Sequence, residues 1–166
     1  AVDNPVTNSE SWQYWLHLAN AGFIDGSYTG TNGPNPPDVT RDAVIGLNVP
    51  GSRISGVGYS IWYRSPPTWN TNLGLQENLP EAPHQYNIGK DVSVQGTTTT
   101  GAAFNVGETY AFDSKYDDGL ANRGKFRTHV NWTGGEITCT TGVAPNYSYD
   151  FSNAQGKCNL SYFFVP

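Results

Sequence analysis

Apolar and polar positions divide the chain into one amphipathic helix followed by a series of short strands. Trp12, Trp15, Leu16 and Ala19 recur at the three-, four- and seven-residue steps that place side chains on one helical face. Thr7 and Glu10 have the spacing of a capping box, and Gly22 is the C-cap candidate. Leu18 and Phe23 widen the apolar side. So short a helix does not hold itself together in water, so it is expected to lie against the sheet that follows.

Gly26, Gly30, Asn32-Gly33-Pro34 and Pro36-Pro37 make Asp25 to Arg41 a loop. Ala43 to Val49 is apolar and ends in a Pro50-Gly51-Ser52 turn. Arg53 to Tyr63 alternates as a strand through Val57, Tyr59 and Ile61, with Gly56 and Gly58 marking a bulge. Thr68 to Pro83 is a polar surface loop. Gln85 to Gly89 and Asp91 to Gln95 are short strand candidates. Thr97 to Thr100 reads as a loop or edge strand, and Ala102 to Asn105 as a strand or a helical turn. Lys125 to Trp132 alternates, with Phe126, Thr128, Val130 and Trp132 on one side. Ile137 to Thr141 carries the first cysteine, Val143 to Asn153 is rich in turn residues, and Asn159 to Val165 is an aromatic strand. The pattern predicts an α+β chain, one N-terminal helix packed on an antiparallel sheet, with residues 1–166 forming a single domain.

Between these strands lies a polar stretch, Tyr110 to Phe126, flanked by aromatic residues and read as a loop. Asp113, Lys115, Asp117, Asp118 and Gly119 form its structural centre, because Asp-Gly sequences favour tight turns. The three carboxylates are also a calcium candidate. Calcium takes about six to eight oxygen ligands, and loop carbonyls could supply the remainder. The spacing is not that of an EF-hand. An ion pair from Lys115 to Asp113 or Asp117 would hold the loop without metal, so no cofactor is required.

Composition narrows the class. Charged residues are 14% of the chain, aromatic residues 13%, and Gly and Pro are frequent, which suits a secreted, turn-rich domain. The net charge of -5 and the lack of a Lys/Arg stripe argue against nucleic acid as a partner. No run approaches the length of a membrane span. Cys139 and Cys158 are the two cysteines. Their even number and the secreted composition favour a disulfide, the alternative being two buried thiols in a cytosolic protein.

Catalytic motifs are missing. His17, His84 and His129 have no nucleophile motif nearby, and neither Gly-x-Ser-x-Gly nor His-Glu-x-x-His occurs. The expectation is that the chain is not an enzyme. Trp62, Tyr63 and Trp69, near Asn70 and Asn72, are candidates for stacking on a sugar ring, which makes a carbohydrate-binding adhesin the alternative function.

Several blocks, in order, resemble the type IV pilin-like family of minor pilins and type II secretion pseudopilins. Ser11 to Tyr28 is similar to the family's helix running into an Ala-Gly-apolar turn. Val49-Pro50-Gly51-Ser52-Arg53-Ile54 with Gly56-Val57-Gly58-Tyr59 resembles its next block. Phe112-Asp113-Ser114-Lys115-Tyr116-Asp117-Asp118-Gly119, followed by Gly124, resembles an Asp-x-Lys-x-Asp-Asp-Gly signature. The cysteine pair before a terminal apolar strand resembles the disulfide-closed end of pilins.

The resemblance implies a structural or assembly subunit of a pilus-like filament or secretion pseudopilus. It implies partnership with other pilin subunits and a place in an extracellular filament or the periplasm of a bacterium, assembled from the inner membrane. It also adds weight to calcium, which some pseudopilins bind. Pilins begin with a long apolar helix, and Ala1 to Asn8 are too short and too polar to supply it. That helix is therefore expected either to have been removed or to come from a separate helical pilin chain. It would be the route to the membrane.

Overall fold

The computed structural model describes residues 10–33, 43–63, 84–92, 98–129, 136–143 and 146–164. In chain order the elements are α1 (Glu10–Asn20), β1 (Gly58–Tyr63), β2 (His84–Gly89), β3 (Phe104–Asn105), α2 (Val106–Tyr116), β4 (Phe126–Arg127), β5 (Thr140–Val143), β6 (Asn146–Tyr149), β7 (Lys157–Cys158) and β8 (Leu160–Phe163). The chain is thus a mixture of helix and antiparallel sheet.

Helix α1 forms where the apolar stripe predicts it. Trp12 and Trp15 are buried, with Leu16 and Ala19 half-buried beside them. Gly22 ends it at φ 74°, where the Gly22 amide donates to Ala19 O and the Phe23 amide donates to Leu18 O, both at 3.0 Å. This pair of bonds satisfies carbonyls that the helix leaves open, and only glycine enters that backbone region without strain. The two tryptophans cluster with Tyr28, Ala43 and Val49, and the half-buried Tyr59, Ile61 and Tyr86 pack against the cluster. The Trp15 ring lies 6.0 Å from that of Tyr86.

The main sheet has the order β1-β2-β8-β4, every pair antiparallel. Its register aligns Ile61, Tyr86, Tyr162 and Phe126 in one row, and Ser60, Asn87, Ser161 and Arg127 in the next. Strand side chains alternate in direction, so the two rows stand on opposite faces. The polar row is the buried one.

Thr98–Thr100 closes over this polar row. Ser60 Oγ and Thr99 Oγ1 share a hydrogen bond of 2.8 Å, and Asn87 Nδ2 donates to Thr98 Oγ1 at 2.9 Å. Thr99 Oγ1 donates to Asn87 O at 2.9 Å, and Ser161 Oγ to Asn87 Oδ1 at 2.9 Å. Burying hydroxyls and amides is tolerated because they satisfy one another. The threonine run was open between loop and edge strand; its described part, Thr98–Thr100, is a buried loop.

A second core surrounds the Cys139–Cys158 disulfide, with Val106, Ala121, Ile137 and Tyr149. Closing a loop with a sequence separation of 19 residues contributes on the order of 3 kcal/mol. Here β3 pairs with β7, and β5 with β6.

The structure corrects several expectations. Tyr110 to Phe126 is not all loop, because α2 runs through Tyr116. The strand expected from Arg53 begins only at Gly58. Ser52–Val57 is instead a turn, in which the Ser52 amide donates to Val57 O at 2.7 Å and Gly56 adopts φ 72°. Of the strand expected over Lys125 to Trp132, Phe126–Arg127 is strand and Thr128–His129 is not, while Val130 and Trp132 lie outside the described residues. Val143 to Asn153 contains β6, hairpin partner of β5, where turns were expected. In the strand candidate Asp91 to Gln95, Asp91 and Val92 are not strand, and residues 93–95 lie outside the described residues. The Thr68 to Pro83 loop, Thr7 and Trp69 lie outside them too.

Candidate functional site

Helix α2 positions the acidic residues. Asn105 caps its start: Asn105 Oδ1 accepts from the Glu108 amide at 2.9 Å, and Glu108 Oε2 accepts from the Asn105 amide at 3.0 Å. The buried stripe of the helix is Val106, Thr109 and Asp113, while Tyr110, Phe112 and Tyr116 are exposed. Phe112 and Tyr116 lie against Phe126 at ring separations of 4.9 and 6.5 Å, and Tyr110 lies 5.7 Å from Tyr149. The helix ends at Asp117, whose amide donates to Asp113 O at 2.7 Å.

Each carboxylate then has its own task. Asp113 is fully buried; its Oδ2 accepts from the Tyr149 hydroxyl at 2.8 Å and its Oδ1 from the Gly119 amide at 3.3 Å. Asp117 Oδ2 accepts from the Phe126 amide at 2.9 Å and also from the Lys125 amide. Asp118 Oδ1 accepts from the Leu120 amide at 2.8 Å, an Asx turn. Gly124 must be glycine, because it has φ 67° and an added Cβ would run into the Asp117 carboxylate. The turn from α2 to β4 is therefore held by main-chain donors converging on carboxylates.

Lys115 takes no part in this. It forms no ion pair with Asp113 or Asp117; its ammonium stands 5.0 Å from the centre of the Tyr116 ring. The ion-paired loop expected from sequence is corrected on this point. Amide N–H groups do the holding because the chain folds back on the helix end and brings main-chain donors to the carboxylates.

One oxygen from each of Asp113, Asp117 and Asp118 lies within 4.8 Å of the others. Such an all-oxygen, all-carboxylate set suits a hard cation such as calcium. Burial pushes the Asp113 carboxyl up to about 6; the bonds from Tyr149 and Gly119 oppose the rise, and the charges of Asp118 and Asp117 add to it. Burial, with the adjacent Asp113 charge, also pushes the Tyr149 phenol up, so Tyr149 stays the donor of the pair.

Of the sugar-stacking candidates, Trp62 and Tyr63 lie in β1. Trp62 shares its sheet face with Ser60, Tyr63 is the last residue of β1, and Trp69 lies outside the described residues. His17 and His84 are exposed, and His129 is buried. Sequence reading missed a different aromatic surface. Tyr14, Trp15, Leu18, Tyr59, Tyr86 and Tyr162 line an open groove of about 410 Å³ that ends at Phe126. Tyr14 and Tyr86 join their hydroxyls across it. Alternation within β2 and β8 carried part of that signal, but only the strand order brings these rings together. A second cavity of about 520 Å³, lined almost equally by polar and apolar groups, lies between the Lys90–Val92 segment and the Ala154–Lys157 turn.

Among the described residues no helix is long and apolar enough to cross a membrane. No protein-family model, curated protein or solved structure matches the chain.

Proposed function

We propose that the chain is the globular part of a type IV pilin-like subunit, a structural component of a pilus-like filament or type II secretion pseudopilus with no catalytic task. The observation that carries this reading is the aromatic groove. Helix α1 covers only part of the Tyr59–Tyr86–Tyr162–Phe126 face, and the remainder is an open, almost wholly apolar strip. Surfaces of that kind mark association sites. A helix beside an antiparallel sheet, with a disulfide near the chain's end, supports the resemblance of the sequence blocks. The partners are then other pilin subunits, or a separate helical pilin chain, and the setting is a bacterial filament or periplasm.

Antiserum against the domain should label sheared filaments or a secretion complex of the native cells. Tyr162→Glu should abolish that incorporation while the purified variant keeps its melting temperature. A wild-type domain found in neither fraction overturns the proposal, and normal incorporation of Tyr162→Glu removes the groove from it.

A further inference from the structure

We propose that the cleft between Lys90 and Lys157 binds a saccharide of one or two rings. The cleft shares no residue with the aromatic groove or the carboxylate cluster, and the inference is independent of the filament reading. Its volume of about 520 Å³ falls within the range of small-ligand sites, roughly 300–1,000 Å³. Lys90, Phe104, Asn105, Glu136, Gln155 and Lys157 line it, together with Asp91.

The chemistry of this lining selects the ligand. The lining holds two lysines and two acidic residues, Asp91 and Glu136, so its formal charges cancel and it favours neither a polyanion nor a bare cation. The start of α2 is no phosphate site, because Asn105 and Glu108 already cap its end. What remains is a set of donors (Lys90, Lys157 and Asn105 Nδ2, since Asn105 Oδ1 is taken by the Glu108 amide), acceptors (Asp91, Glu136) and one amide offering both (Gln155), beside apolar Val92, Ala102 and Ala103 and one half-buried aromatic ring, Phe104. Sugars present that combination, with hydroxyls around the ring edge and an apolar face of C–H groups.

The site is also built in advance. Gly101 and Lys90 exchange main-chain bonds of 2.9 and 3.1 Å, which fixes one wall. The Thr138 amide donates to Lys157 O at 2.9 Å, and the neighbouring Cys139–Cys158 disulfide fixes the other. Lys157 Nζ holds Glu136 Oε2 at 3.0 Å and keeps the Glu136 carboxyl below its ordinary value, with Lys90 adding to the effect. Glu136 has φ 57°, and it is the one non-glycine among the described residues in the left-handed region. A cleft fixed before binding loses less entropy when it is filled.

The test is a titration of the ¹⁵N-labelled 166-residue chain, followed by amide shifts. The probes are cellobiose, maltose, lactose and N,N′-diacetylchitobiose, with inorganic phosphate as the charged comparison. At least one sugar should shift the amides of Lys90, Ala102–Asn105 and Gln155–Lys157 saturably. Glu136→Ala or Lys90→Ala should weaken that binding about tenfold, the loss of one charged hydrogen-bonding partner. Both side chains are exposed, so both variants should keep the wild-type melting temperature. The proposal is overturned if no sugar shifts these amides, if phosphate alone does, or if neither variant weakens the binding.

Discussion

Helices α1 and α2 are both 11 residues long, yet they are held in opposite ways. α1 buries two tryptophans in a shared apolar cluster. α2 buries a valine, a threonine and an aspartate, and leaves Tyr110, Phe112 and Tyr116 outside. Its stability comes from its ends, with a full capping box at Asn105 and a turn of carboxylate-bound amides after Asp113. The difference shows that burial in this chain does not track hydrophobicity. The main sheet repeats the lesson, with its Ser60–Asn87–Ser161–Arg127 row buried and its aromatic row half open.

Mutations separate the two modes of support. Trp12→Ala should have the largest effect, lowering unfolding stability in urea by about 3–5 kcal/mol, because a fully buried indole leaves a large cavity. A change below about 1 kcal/mol would mean that α1 does not rest on burial, since well-buried aromatics cost more than that on truncation. Asp117→Ala should cost about 1–3 kcal/mol, because the Lys125 and Phe126 amides lose their acceptor. If the cluster holds calcium, excess calcium should raise the melting temperature of the wild type at about pH 7 and leave Asp117→Ala unmoved. Identical melting in calcium and in chelator would assign the turn to N–H donors alone.

The pH dependence of stability is the finest probe. The Asp113 carboxyl sits at about 6 in the folded chain, against about 4 in an unfolded one. The folded state therefore holds this proton more tightly. Its contribution to stability is fully present below about pH 4, falls as pH rises toward about 6, and is flat above that. The change is on the order of 1–3 kcal/mol. Asp113→Asn should flatten this window in urea titrations taken between about pH 4 and about pH 7. An unchanged slope in the variant would place the titration elsewhere.

Where the apolar side chains that pack recur at a clear period, the sequence was readable, whereas buried Tyr149 stands in β6, where turns were expected. The Trp12–Trp15 stripe announced α1, Gly22 announced its end, and the alternation through Tyr86 and Ile88 announced β2. α2 had one local signal, Asn105 three residues before Glu108, which is a capping-box spacing. Apart from Val106 its large apolar residues are exposed, so no apolar stripe marked the buried face of the helix. The two-residue strands β3, β4 and β7 carry too few positions to show any period.

By itself, then, the sequence determined the N-terminal helix, strands β2 and β8 and the cysteine pair. Local propensity and apolar periodicity are properties of neighbouring residues, and they are written into the chain directly. Only the tertiary structure decided that Lys115 turns to Tyr116, that Tyr149 reaches Asp113, that threonines seal a polar sheet face, and that Glu136 and Lys90 flank one cleft. Most of those pairings join residues far apart in sequence. A buried polar group is stable only once its particular partner arrives, so its place cannot be read before the chain has folded.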